Sequence, residues 1–239
     1  MKKILKGFAL SVSMLTTLPF FRVHDFFKGI NGYAVMFFPL VGLILGFILF
    51  GIHSLLEAHL ASTHLNIILF ALLVLFTGAL HLDGFADTVD GLYVKKERAL
   101  EVMSDPHIGA MGMIITAVFL ILKASTFMHL ESFYFLPFIL LLSRFNAVLA
   151  IYFFPYIGGG MAKLAKDEFS KTQLIFAALF TLLLAILLSW KLVLISLLTL
   201  VIVSKFFVKR YGGLSGDIYG FTIEVSELIL LNIVVFGLI

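Results

Sequence analysis

The sequence predicts an all-α fold: a polytopic integral membrane helix bundle of about seven transmembrane helices, preceded by an N-terminal helix that lies in the interface or enters the membrane shallowly. Three observations predict it. Hydrophobic residues make up 62% of the 239-residue chain and charged residues only 13%, against roughly 25% charged in soluble domains. Apolar runs near the ~20 residues that cross a bilayer recur along the whole length. Lys and Arg concentrate in alternate loops, as in a chain threaded back and forth through a membrane. No loop is long enough to fold by itself, so residues 1–239 are expected to form one domain.

The N-terminal stretch "MKKILKGFALSVSMLTTLPFF" resembles a signal peptide in placing basic residues before an apolar run. It lacks a small-residue cleavage pattern and Pro19 follows directly, so it is expected to be retained. The spans are expected near 33–52, 65–82, 108–128, 133–155, 172–189, 191–208 and 218–239. Only "SWK", Ser189–Lys191, separates the fifth from the sixth, which predicts a tight antiparallel pair. Fourteen of the seventeen basic residues fall in 1–31, 83–107, 156–173 and 205–217. The positive-inside rule puts those segments in the cytoplasm, with 53–64, 129–132 and the C-terminal end outside. The chain is therefore expected to be a multi-pass protein of the cytoplasmic membrane whose polar face looks into the cell. Cysteine is absent, which excludes disulfides, thiolate nucleophiles and Cys metal sites. No basic tract interleaved with aromatics points to nucleic acid.

The stretch "ALHLDGFADTVDGLY", residues 79–93, breaks the apolar pattern. Asp83, Asp87 and Asp90 are spaced i, i+4, i+7 and share one face if the segment is helical. At ~6 Å and an effective dielectric of ~20, neighbouring carboxylates repel by roughly 3 kcal/mol. Water, protonation or a divalent cation must relieve this. An all-oxygen donor set suits Mg²⁺, with Mn²⁺ as second choice, often completed by substrate phosphates; a solvated acidic helix end is the plainer reading. Gly84 and Gly91 each follow an aspartate and call for close approach, by a phosphate or by another helix. His81 is either a base and phosphate donor or a structural histidine.

A second constellation, "RYGGLSGDIYGFTIEVSE" at 210–227, places Gly212, Gly213, Ser215 and Gly216 before Asp217, with Glu224 and Glu227 one turn apart. The glycines allow a backbone nest for an anion, or simply a turn before a helix. The acids lie on the cytoplasmic side or enter the membrane, where ionisable groups are functional by default. Arg144, near the middle of the fourth span, costs at least ~2.5 kcal/mol there and should face a cavity, an acid or a phosphate. Lys123 is expected to snorkel to an interface. His53, His59 and His64 are expected to be solvated.

Taken together, these motifs resemble the adenosylcobinamide-GDP ribazoletransferases, the cobalamin synthases, along nearly the whole chain. The resemblance rests on "LTTLPFF" (15–21), "FPLVGLILG" (38–46), "HLDGFADTVDG" (81–91), "RALEVMSDPHIGAMG" (98–112), "SR" (143–144), "GGLSGD" (212–217) and the acids of "IEVSE". It implies a Mg²⁺-dependent membrane enzyme acting on small-molecule substrates within the lipid bilayer. The implied reaction joins adenosylcobinamide-GDP to α-ribazole or its 5′-phosphate and releases GMP. His81, Asp83, Asp87, Asp90, Arg98, Asp105, Gly109, Arg144, Gly216, Asp217 and Glu227 fall on family positions. On that basis His81, Asp83, Asp87, Asp90 and Asp105 are the catalytic candidates, and Asp83, Asp87, Asp90 and Asp217 the metal ligands. Arg98, Arg144, Gly213, Ser215, Gly216, Glu224, Glu227 and Lys163 are the candidates for substrate phosphates.

The chain departs from the family at Thr17 and His107, where arginine is usual, at Ser215, where threonine is usual, and at "PYIGGGMAK". These departures leave Lys163 and Lys166 as candidate phosphate partners. Two other classes remain. Residues 87–95 loosely match the first half of a CDP-alcohol phosphotransferase motif, but Ser104 and Ile108 break its second half. An ion-coupled transporter would scatter its acids through the bilayer or show inverted repeats; here they gather on one side.

Overall fold

The structure, a computed structural model, describes residues 2–18 and 27–238. The helices are α1 (Lys2–Leu15), α2 (Ile30–Leu56), α3 (Ser62–Phe76), α4 (Leu80–Leu92), α5 (Ala99–Met103), α6 (Ala110–Met128), α7 (Leu136–Phe153), α8 (Gly160–Glu168), α9 (Lys171–Leu188), α10 (Trp190–Tyr211) and α11 (Gly216–Val235). Six are long and apolar enough to cross a membrane: α2, α6, α7 with its preceding turn, α9, α10 and α11. The expected bundle is there. Pro19 and Arg22, with the end of the 15–21 motif, lie outside the described residues.

The span expected at 65–82 is corrected. It is two helices, α3 and α4, bent by 80° at a break of three residues. Gly78 and Ala79 both take left-handed backbone angles, φ 60° and 56°, and no helix continues through two such residues. Thr17 stabilises the break. Its backbone N–H donates to Phe76 O at 2.8 Å and its hydroxyl to Leu75 O at 2.9 Å, satisfying carbonyls the broken helix leaves open. The aspartate motif thus occupies its own short helix. Among the described residues, the count reaches seven spans when α3 and α4 are taken together.

The centre of the bundle is α7, packed on α2 and α11. Gly42 and Gly46, one turn apart on α2, let its backbone approach Leu140 and Pro137 of α7 with no room for a methyl group. The outer faces of α6, α9 and α10 carry exposed Ile121, Leu122, Phe176, Leu183, Leu187 and Ile202, as lipid contact requires. Between α9 and α10 the turn is the single residue Ser189. Its hydroxyl caps α10 at Leu192 N.

The basic loops gather at one end. Ile157 N donates to Leu214 O and Leu214 N to Pro155 O, each at 2.8 Å. Arg210 donates to Leu92 O and Tyr211 to Gly91 O, and Asn31 binds Glu168 through both its nitrogens. His53, Glu57, His129, Glu131 and Phe236 meet at a cavity at the other end. The expectation that His53 is solvated is corrected: it stacks on Phe133 at 4.2 Å and pairs with Glu57.

Candidate active site

Helices α4 and α11 cross with their backbones nearly in contact. A methyl at Gly84 would come within 2.9 Å of Asp217 O, and one at Gly220 within 3.1 Å of His81 O. The glycine after Asp83 therefore admits another helix. The glycine after Asp90 does the same for a side chain, because Gly91 lies against Met103. Each of these glycines costs about 1 kcal/mol of helix propensity. At Gly84 the return is that Asp83 and Asp217, from two helices, line one cavity. Asp87 lies in the fields of Asp83, Asp217 and Asp90.

Asp90 has a separate task. Its Oδ2 accepts from Gly109 N and its Oδ1 from Gly112 N, both at 2.7 Å, in the first turn of α6. Gly112 has no room for a side chain beside that carboxylate and Ala86 O. Asp90 is thus held by the glycines near the end of the 98–112 stretch. This charge at a helix N-terminus offsets open N–H groups and the helix dipole.

His81 is 3% exposed and neither ring nitrogen has a partner. It borders an open-mouthed cavity of about 520 Å³ lined by α1, α2, α4, α7, α8 and α11. Asp83, Asp217 and Tyr219 share that lining, and the Tyr219 hydroxyl is also buried without a partner. Sequence reasoning missed Tyr219, which reads as one more aromatic in an apolar helix. Its only signal is its position two residues after Asp217. A larger cavity, about 1140 Å³, lies at the opposite end beside His53, Glu57 and His129. It holds none of the aspartates, so the chemistry is sought in the smaller one.

Several expected site residues stand elsewhere. Arg98 is exposed and pairs with Glu101 at 3.5 Å. Asp105 is exposed and bonded to His107, accepting from its backbone N–H at 2.9 Å and meeting its ring at 2.7 Å. The His107 backbone bond, then the ring contact, hold the Asp105 carboxyl below its ordinary range. Lys163 pairs with Asp167 at 2.7 Å. Lys166 donates to Ile151, Tyr152 and Phe154 carbonyls, closing the end of α7. Burial lowers the Lys166 ammonium pKa.

In the glycine turn, Ser215 caps α11 at Ile218 N and reaches Asp217 Oδ2 at 3.2 Å. Gly212, φ 89°, ends α10, and Gly213 lies against Pro155 O. Gly216 N–H bonds the Tyr156 hydroxyl, whose pKa is raised by burial and by Asp217 despite that bond.

Arg144, Glu224 and Glu227 form a buried cluster with Lys123. Lys123 Nζ lies 2.6 Å from Glu224 Oε2 and 2.6 Å from Glu227 Oε2. Arg144 donates to Glu227 and, at 2.8 Å, to Ser143 Oγ. The snorkelling expected of Lys123 is corrected: it is 3% exposed and points inward, because two carboxylates meet it there.

A divalent cation fits this donor set. The charged lining of the cavity is Asp83 and Asp217, and no Lys or Arg borders it among the described residues. Phosphates could approach such a surface only with cations between. No three His, Asp or Glu side chains among the described residues are placed to hold a metal together. Mg²⁺ commonly takes one or two carboxylates and fills its shell with water and phosphate oxygens, so a closed cage is not required.

The family model described as cobalamin-5-phosphate synthase matches residues 7–235. The chain belongs to that family. It is 36% identical over 211 residues to an adenosylcobinamide-GDP ribazoletransferase of Acinetobacter baumannii (strain ACICU), covering 84% of this chain and 85% of that one. It is 36% identical to the protein of the same description from Thermosynechococcus vestitus, covering 83% and 84%. The match to that of Desulforamulus reducens is 35% over 249 residues, 95% of each chain. No solved structure matches. Family membership thus covers the aspartate helix, its α6 clasp and the α11 turn in one unit.

Proposed function

We propose that this protein is a Mg²⁺-dependent adenosylcobinamide-GDP ribazoletransferase of the cytoplasmic membrane, working at the cytoplasmic end of the bundle. The observation that carries the reading is the cavity where Asp83 and Asp217 stand beside a buried His81 with both ring nitrogens free. Family membership and the relatives' activity agree with it.

In the reaction, a ribose hydroxyl oxygen of α-ribazole, or of its 5′-phosphate, forms a bond to the phosphorus that carries the cobinamide side chain. The bond from that phosphorus to the bridging oxygen breaks, and GMP leaves with the bridge. Phosphoryl transfer asks mainly for positioning and charge neutralisation. Mg²⁺, held by Asp83 and Asp217 with water completing its shell, would neutralise the diphosphate, while Asp87 adds to the negative field and Asp90 holds the helix in place. His81, free at both nitrogens, accepts the hydroxyl proton. With the cation between them, Asp83 and Asp217 would set where the diphosphate lies at the rim of the cavity.

GMP release from adenosylcobinamide-GDP plus ribazole, in protein-containing liposomes, tests the reading. Turnover only with CDP-diacylglycerol and an alcohol, or Mg²⁺ flux without GMP release, would replace it. Orientation is tested by single cysteines placed in this cysteine-free chain. Cysteines in 83–107 are expected to resist an impermeant reagent applied to intact cells, and those in 53–64 to react. Labelling of 83–107 from outside refutes the cytoplasmic site.

A further inference from the structure

The cavity behind the aspartates is larger and more apolar than phosphoryl transfer alone requires. Leu10, Met14, Phe38, Ala147, Ile151 and Ile223 line it; its polar side chains are Ser13 on α1 and His81, Asp83, Asp217 and Tyr219 on α4 and α11. Its volume of about 520 Å³ is in the range of small-molecule sites. That space admits a nucleoside but not a corrinoid carrying GDP. No Asn, Gln, Lys or Arg borders it among the described residues, and away from α4 and α11 its lining is apolar apart from Ser13. A flat, apolar bicyclic base would be recognised by shape alone. The Tyr219 hydroxyl and the His81 ring nitrogens are buried polar atoms lacking partners. Such groups are costly to leave unmade and mark where a ligand's hydroxyls belong.

We infer that this cavity is the subsite for the acceptor nucleoside. The apolar base lies between α1, α2 and α7, and Tyr219 and His81 take the ribose hydroxyls. The corrinoid stays outside, and its diphosphate meets the aspartates at the rim. Tyr219 is then a binding residue for the acceptor, and α8, through Ala162 and Met161, forms one wall. The assignment rests on the transferase reading, and deepens it by separating the two substrates in space.

The test exploits the two methyl groups of ribazole's base. In the wild-type protein, replacing ribazole by the benzimidazole riboside lacking them is expected to lower kcat/KM by about 10-fold or more, the usual yield of lost apolar contact. Ala162→Phe fills the cavity. The KM for ribazole is expected to rise about 10-fold while that for adenosylcobinamide-GDP stays within about twofold, and the methyl-free riboside becomes the preferred acceptor. A rise confined to adenosylcobinamide-GDP, equal rises for both, or no change overturns the assignment; no change would mark a groove filled by a lipid chain. Should Ala162→Phe fail to fold, Met14→Ala enlarges the same space. It must then shift the preference toward a bulkier base, and an unchanged acceptor preference overturns the proposal equally. Wild-type protein that releases no GMP from either acceptor defeats the transferase reading itself, which is a different result.

Discussion

Asp83→Asn and Asp87→Asn are each expected to lower GMP release by on the order of 10²–10³-fold at ordinary Mg²⁺ while the protein stays folded. Each change keeps the shape and removes one carboxyl from a group in which Asp83 and Asp217 line one cavity and Asp87 lies within the field of both. Losing one preorganised electrostatic partner of a transition state typically costs that much. The stability effect runs the other way. Crowded carboxylates repel, so thermal stability without Mg²⁺ should hold or rise, and the stabilisation Mg²⁺ adds should shrink. Asp90→Asn should behave differently. Its oxygens hold Gly109 and Gly112, and an amide offers one acceptor where two are used. Loss of about 1 kcal/mol of stability is expected, typical of a lost helix cap, with or without Mg²⁺. Activity assays and thermal melts with and without Mg²⁺ on the three variants check this. Near-normal turnover and unchanged Mg²⁺ dependence in Asp83→Asn and Asp87→Asn would return the aspartates to a solvated helix end.

The sequence makes the spans legible because lipid imposes a crude rule on every residue that faces it. It also brings the right loops together, since Lys and Arg mark one end and those loops bond to one another in the structure. The i, i+4, i+7 aspartates are visible for the same reason, as charge where the rule forbids it. What stays hidden is the sense of each close approach. Gly84 and Gly91 are alike in sequence, yet one admits the backbone of α11 and the other the side chain of Met103. The break at Gly78–Ala79 is hidden because an apolar run reads through it, and only Gly78 signals a turn. Lys123 is read as an edge residue because its partners lie about a hundred positions away, on α11. Tyr219 carries no sequence signal beyond its neighbour Asp217; its free hydroxyl belongs to the packing.

Arg144→Met is expected to destabilise the protein by about 3–5 kcal/mol, the cost of breaking a buried ion pair on one side. Arg144 and Glu227 are 2% and 1% exposed, and with Lys123 and Glu224 they make two cations and two anions linking α6, α7 and α11. Removing one charge leaves Glu227 with Lys123 as its only cation and strips the fork from Ser143. Removing both partners should not cost the sum. Arg144→Met with Glu227→Leu leaves Lys123 and Glu224 paired and fills the space with apolar atoms, an exchange that is often near neutral. The double variant should therefore melt close to the wild type while each single variant melts far below it. Activity per folded molecule then separates two roles. The cluster ties α6, α7 and α11 together, and α7 and α11 also line the cavity, so it sets their spacing around the site. A folded double variant that keeps most of its turnover makes Arg144 a positioning residue. A double variant equally stable but inactive would instead show that the guanidinium leaves Glu227 for a substrate phosphate, for which its bidentate geometry is suited.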